Sequence, residues 1–218
     1  MDCYTEPDFR KAALLTIDMQ RDFVLPGAAG AVPGTFPVAG VIARLLSVCR
    51  AVHLPVIHVV RLYREDGSNA DNCRRSLVAS GEPLVRPGTP GAALTEQLLP
   101  EAASVPDEAA LLRGEMPLIA ADEWMMYKPR WGAFYQTPLE DFLRARGVNT
   151  LIFTGCNFPN CPRTSLYEAS ERDFRVIMVN DAVSGLYEQG VKELTAIGTA
   201  LMSAADLERQ LRQISPEA

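Results

Sequence analysis

Four short apolar runs, separated by stretches of helical periodicity, restrict this chain more than any other feature. They are AALLTI at Ala12–Ile17, VIHVV at Val56–Val60, TLIFTG at Thr150–Gly155 and RVIMV at residues 175–179. Each is too short for a helix and is apolar on both faces rather than alternating, which describes a strand buried inside a parallel sheet. Between the first two, residues 38–52 place Val41, Ile42, Leu45, Leu46 and Val48 at helical spacing before Pro55. A further strand is predicted over 123–128. A helix is predicted over 138–146, with Thr137 as its cap and Gly147 as its stop, and others over 162–172, 189–202 and 205–213. The alternation predicts an α/β fold: a doubly wound, Rossmann-like parallel sheet with helices on both faces.

The 218 residues are 48% hydrophobic and 22% charged, enough for one substantial core, so residues 1–218 are read as one domain. Residues 61–116 are rich in Gly, Pro, Asn, Asp and Arg, with a short helix expected near 92–99. A connection this long inside a compact domain is usually functional, and substrate contacts are expected there. The net charge of −6 disfavours nucleic acid or an anionic membrane as partner, since both require a basic face. No segment has the length of a membrane span or the layout of a secretory leader, so a cytoplasmic location is expected. Five cysteines, an odd count in a chain of this size, are read as reduced thiols.

In doubly wound sheets, ligands bind beyond the carboxyl ends of the strands. Asp18 closes the first run, Lys128 closes the strand at 123–128, and the loop TGCNFPNCPR (154–163) follows the third run. A cysteine attacks as thiolate, so it needs a base or a cationic setting that lowers its pKa. Asp18 supplies the first and Lys128 the second. Cys161 also opens a predicted helix, whose free N–H groups favour negative charge on sulfur and on a nearby oxyanion. Cys156, at the strand's end, is read as packed. A redox or metal role for the two cysteines is the alternative, but their C-x4-C spacing is not C-x-x-C and no second ligand pair follows. His53 and His58 are read as structural.

AALLTIDMQRDF, YKPRWGAF and TGCNFPNCPRTSLYEASERDFRVIMVNDA resemble, in order and spacing, the three signature segments of the isochorismatase-like cysteine hydrolases. The resemblance runs from Ala12 to Leu201 and is weakest over 61–116. It implies a triad of Cys161, Asp18 and Lys128 that cleaves a C–N bond of a small amide, ureido or lactam substrate through a thioester. It further implies a cis peptide, by position Cys156–Asn157, with the N–H groups of Asn157 and Cys161 as oxyanion donors. Vinyl-ether hydrolysis of the isochorismatase type, or a non-catalytic binding role, are the alternatives. The nicotinamidase branch carries an Asp-x-His plus His metal set where this chain reads HVVRLYREDGSNADN, so no metal or other cofactor is expected.

The loop NFPNCP departs from the small and β-branched residues usual in the family. Phe23, Trp131, Phe134, Tyr135, Phe158 and Asn160 are therefore expected to line an altered pocket, with Arg61 or Tyr63 binding a polar end of the substrate. YKPRWGAF is most similar to the ureido and carbamoyl branch, and the chain's negative charge is compatible with a cationic, streptothricin-like substrate. The family habit implies a homo-oligomer.

Overall fold

The computed structural model describes residues 3–214. Seven strands form one sheet in the order β3-β4-β2-β1-β5-β6-β7. Their ranges are β1 Ala12–Ile17, β2 Val56–Val60, β3 Leu118–Ala120, β4 Glu123–Tyr127, β5 Thr150–Gly155, β6 Arg175–Val183 and β7 Ala200–Met202. All neighbours pair in parallel except β3, which runs antiparallel on β4. The central strands β1 and β5 are buried at every position, as their unbroken apolar runs require.

The period-two alternation of β-strand side chains divides the core into two layers. Leu14, Val56, Ile152 and Ile177 pack against α2 (Thr35–Ala51) and α8 (Ala204–Arg212) on one face. Leu15, Ile57, Phe153 and Met178 pack against α5 (Leu139–Ala145), α6 (Cys161–Ser170) and α7 (Glu188–Ala196) on the other. The short α1 (Arg21–Val24) follows the first strand. Among the described residues, no helix is long and apolar enough to cross a membrane.

Three elements differ from the sequence expectation. The helix expected over 189–202 ends at Ala196, Gly198 turns the chain at φ +80°, and Ala200–Met202 becomes an edge strand. Three residues are too few to display a strand's periodicity, so β3 and β7 have no readable signal. Residues 92–99 hold two 3-10 turns, at Pro90–Ala92 and Glu96–Leu98, while the same connection holds α3 (Asn72–Ala79) and α4 (Glu108–Leu112). At α5 the N-cap position falls on Pro138, one residue past the expected Thr137, which donates its hydroxyl to Ala133 O at 2.6 Å and still accepts from the Leu139 N–H at 3.5 Å.

Candidate active site

Asp18 follows β1 directly and takes a left-handed conformation, φ +53°, that Asp tolerates better than branched residues do. Its N–H donates to Val59 O at 2.9 Å, continuing the sheet ladder one residue past the strand. Lys128 does the same beyond β4, donating its N–H to Val60 O at 3.0 Å. Two strands that are distant in sequence thus deliver an acid and an amine to one sheet end. The Lys128 side chain is fully buried, its Nζ 3.0 Å from Asp18 Oδ2 and 3.3 Å from the carbonyl oxygen of Arg130. Asp18 Oδ1 is buried and has no hydrogen-bond partner.

Gly155 brings the cysteine loop to the same place. Its φ is +117°, and a Cβ there would lie 2.2 Å from Ile17 O, closer than any side-chain carbon can approach. Glycine alone therefore lets the end of β5 lie against the end of β1, where Cys156 donates its N–H to Ile17 O at 2.8 Å. Five residues later Cys161 opens α6, half-buried, with Pro162 behind it at a position where the missing N–H costs little.

Burial pushes the Cys161 thiol up, the Asp18 carboxylate pushes it further, and Lys128 opposes them; the net result is about 12, from 9.0. This corrects the expectation of a lowered pKa: the charge beside the thiol is a coupled pair, and its carboxylate outweighs its ammonium. The resting group is a neutral thiol next to a base. Cys156 is buried beside the Thr35–Ser184 hydroxyl pair and is pushed up to about 11, first by burial. A second correction concerns the backbone: among the described residues every peptide bond is trans, including Cys156–Asn157. A cis bond without proline costs about 3 kcal/mol, and the loop meets its anchors at Ile17 O and Ser184 O without one.

Asp18 and Cys161 line a cavity of about 330 Å³. Of the expected pocket residues, Phe23, Arg61, Tyr63, Trp131 and Asn160 line it, as does Asn157. Phe134, Tyr135 and Phe158 do not. Phe134 packs on Phe174 with ring centroids 5.8 Å apart, and Phe158 is fully buried edge-on to Tyr187 at 5.3 Å, so both belong to the core layer under α6 and α7. Tyr135 stands half-exposed on a neighbouring surface cleft, which Trp131 also borders. An aromatic residue near a signature segment carries no sign of which side of the backbone it occupies.

Arg61 lines the cavity but is committed to the protein. It is ion-paired with Asp71, donates to Lys128 O at 2.9 Å and to Tyr63 Oη at 3.1 Å, and is 2% exposed. Tyr63 Oη donates in turn to Asp71 at 3.1 Å. Sequence reasoning missed Val32, Asp71, Cys73 and Arg74, which also line the cavity. The Asp at 71 followed by NCRR has the form of a helix start, a signal that would have placed α3 beside the site. Among the described residues no group of three or more His, Cys, Asp or Glu could hold a metal ion. Buried His58 lies between Thr16 Oγ1, at 2.8 Å from Nδ1, and Glu123 Oε2, at 3.2 Å from Nε2.

The chain has relatives of the same layout. One that is 31% identical over 179 residues, covering 81% of this chain and 82% of its own length, is named a probable inactive nicotinamidase, from Arabidopsis thaliana. The ureidoacrylate amidohydrolase RutB of Methylobacterium radiotolerans is 31% identical over 187 residues, 78% of this chain and 65% of that protein. The crystal structure of an isochorismatase family protein from Desulfovibrio vulgaris superposes with a TM-score of 0.79 at 36% identity, covering 93% of this chain and 98% of that one. Residues 12–206 match the isochorismatase domain model, a span that holds all seven strands and the Asp18, Lys128 and Cys161 corner; the chain belongs to the isochorismatase family.

Proposed function

We propose that this protein hydrolyses a C–N bond of a small amide or ureido compound, with Cys161 as nucleophile. The observation that carries the reading is the division of labour within Asp18, one oxygen held by Lys128 and the other bare beside a neutral thiol. In the first step Cys161 Sγ attacks the carbonyl carbon while Asp18 Oδ1 takes the thiol proton. The tetrahedral intermediate places its negative oxygen toward the N–H groups of Asn157 and Cys161. As the C–N bond breaks, Asp18 passes its proton to the leaving nitrogen and an acyl thioester remains. Water, deprotonated by Asp18, then attacks the thioester, and the sulfur leaves as the thiol. Lys128 fixes the carboxylate in place through its contact with Oδ2. The relatives whose names state an activity support the C–N assignment, RutB among them.

The test is product release from a panel of amides, ureido acids and lactams, by ammonia or amine assay, in wild type, Cys161→Ala and Cys156→Ala. Turnover in wild type and Cys156→Ala, with a loss of about 10³-fold or more in Cys161→Ala, is the expected result. Full activity in Cys161→Ala would sink the thioester route and favour a vinyl-ether hydrolysis led by Asp18. The relative named as inactive gives a second reading, a binding protein on the same fold, and ligand binding without any turnover across the panel would favour it.

A further inference from the structure

The charges around the cavity are paired with one exception. Lys128 is joined to Asp18, and Arg61 to Asp71. Tyr63 also donates to Asp71, on the same oxygen, Oδ2, that Arg61 contacts. Arg74, on the first turn of α3, lines the same cavity; the residue is half-buried, and its guanidinium makes no hydrogen bond or ion pair among the described residues. Asp18 and Asp71 share the lining with Arg61 and Arg74, and Lys128, buried behind Asp18, offsets that carboxylate, so Arg74 is left without a counter-charge inside a chain whose net charge is −6.

We propose that Arg74 binds a carboxylate on the substrate, so that the compound cleaved is a small amido or ureido acid, not a neutral amide or a cationic lactam. This rests on the amidohydrolase reading above and narrows it. A guanidinium presents two parallel donors that match a carboxylate, and in a site partly withdrawn from water such a pair strengthens. A cationic substrate would instead meet an unpaired like charge at Arg74. The inference reverses the expectation drawn from net charge, because what a ligand meets inside a cavity is set by the groups in and directly behind its wall, not by the chain's sum. Arg61 or Tyr63 was the expected anchor for a polar end of the substrate, but Arg61 is bound to Asp71, Tyr63 and Lys128 O and Tyr63 to Asp71, which leaves Arg74 for that task.

The experiment compares matched pairs, succinamate with its methyl ester and 3-ureidopropionate with its methyl ester, in wild type, Arg74→Gln and Arg74→Lys. Wild type is expected to prefer each acid over its ester. Arg74→Gln should lower the acid-to-ester ratio of kcat/KM by about tenfold or more, chiefly through KM, and Arg74→Lys should recover part of it. An unchanged ratio in Arg74→Gln, or a wild-type preference for the esters, overturns the proposal. A parallel measurement does not depend on turnover: protection of Cys161 from iodoacetamide by succinate, read by peptide mass. If neither these pairs nor the wider panel of amides, ureido acids and lactams is hydrolysed, the amidohydrolase reading fails by itself. Succinate protection in wild type that is lost in Arg74→Gln then still supports the carboxylate site, and equal protection in both rejects it.

Discussion

Two carboxylates are buried in the same sheet, and they are treated in opposite ways. Glu123, at the start of β4, is saturated: Arg50 contacts both of its oxygens and His58 Nε2 lies 3.2 Å from Oε2. Burial pushes Glu123 up, but the hydrogen bonds from His58 and Arg50 outweigh it and hold the group below the ordinary carboxylate range. Asp18, past the end of β1, has Lys128 on one oxygen and nothing on the other. A buried acceptor without a partner costs on the order of 1–3 kcal/mol, so a fold keeps one where it serves as a place for a proton. The comparison separates a charge that holds the sheet from one that, on the proposed function, works at its edge.

The sharpest way to break that distinction is Asp18→Asn. Turnover should fall by about 10²–10⁴-fold, because no base takes the thiol proton and no acid protonates the leaving nitrogen. The same change removes the carboxylate that pushes Cys161 up, so alkylation of Cys161 should move to lower pH. General unfolding would also free the thiol and end turnover, so the result counts when the Asn variant keeps the wild-type unfolding transition. Turnover within tenfold of wild type would remove Asp18 from the mechanism.

Glu123→Gln should do the reverse. Loss of the charge facing His58 and quarter-exposed Arg50 should cost about 2 kcal/mol in denaturant unfolding, discounted for the exposure of Arg50, with kcat/KM within about threefold of wild type. Because the folded-state pKa of Glu123 is depressed, its contribution is present above its ordinary value and is lost as pH falls through the depressed one. Wild-type stability should therefore fall on acidification below about pH 4.5, and the Gln variant should show a shallower fall. A large loss of activity in Glu123→Gln at constant stability would erase the contrast between the two acids.

Gly155→Ala tests how the working corner is assembled. The added Cβ would meet backbone atoms of Ile17 and occupy a positive φ, so a cost of at least about 2 kcal/mol is expected. Activity should fall more than stability explains, since relief requires the end of β5, and with it the loop to Cys161, to move away from Asp18. Wild-type kcat/KM in the folded variant would show that this close approach is not what aligns the site.

These contrasts were unevenly legible. The four apolar runs showed the central strands because burial on both faces leaves a continuous signal, and Asp18, Lys128 and the cysteine loop were readable as the ends of such strands. The edge strands β3 and β7, three residues each, showed nothing. The pocket wall was read less well, since a loop has no period to say which way Phe158 or Tyr135 points. The pairing of Arg61 with Asp71 spans a turn whose geometry no spacing rule encodes. That pairing, invisible in sequence, is what leaves Arg74 as the unmatched cation.

The smallest expected effect concerns a third buried titratable group, one with no site to serve. Cys49 on α2 is fully buried, and burial first, then Glu123, push its thiol up to about 12 from 9.0. The raised folded-state value means that the neutral thiol contributes stability in full below about pH 9 and loses it as pH rises toward 12. At pH 10 the unfolded chain has already ionised this thiol and the folded chain has not, a loss of about 1.4 kcal/mol relative to neutral pH. Cys49→Ala should remove that share of the alkaline slope while leaving turnover at neutral pH intact. An unchanged slope between pH 8 and 10.5 would assign the alkaline loss to the other raised groups, Cys156, Cys161 and Tyr63, and so to the residues around the cavity.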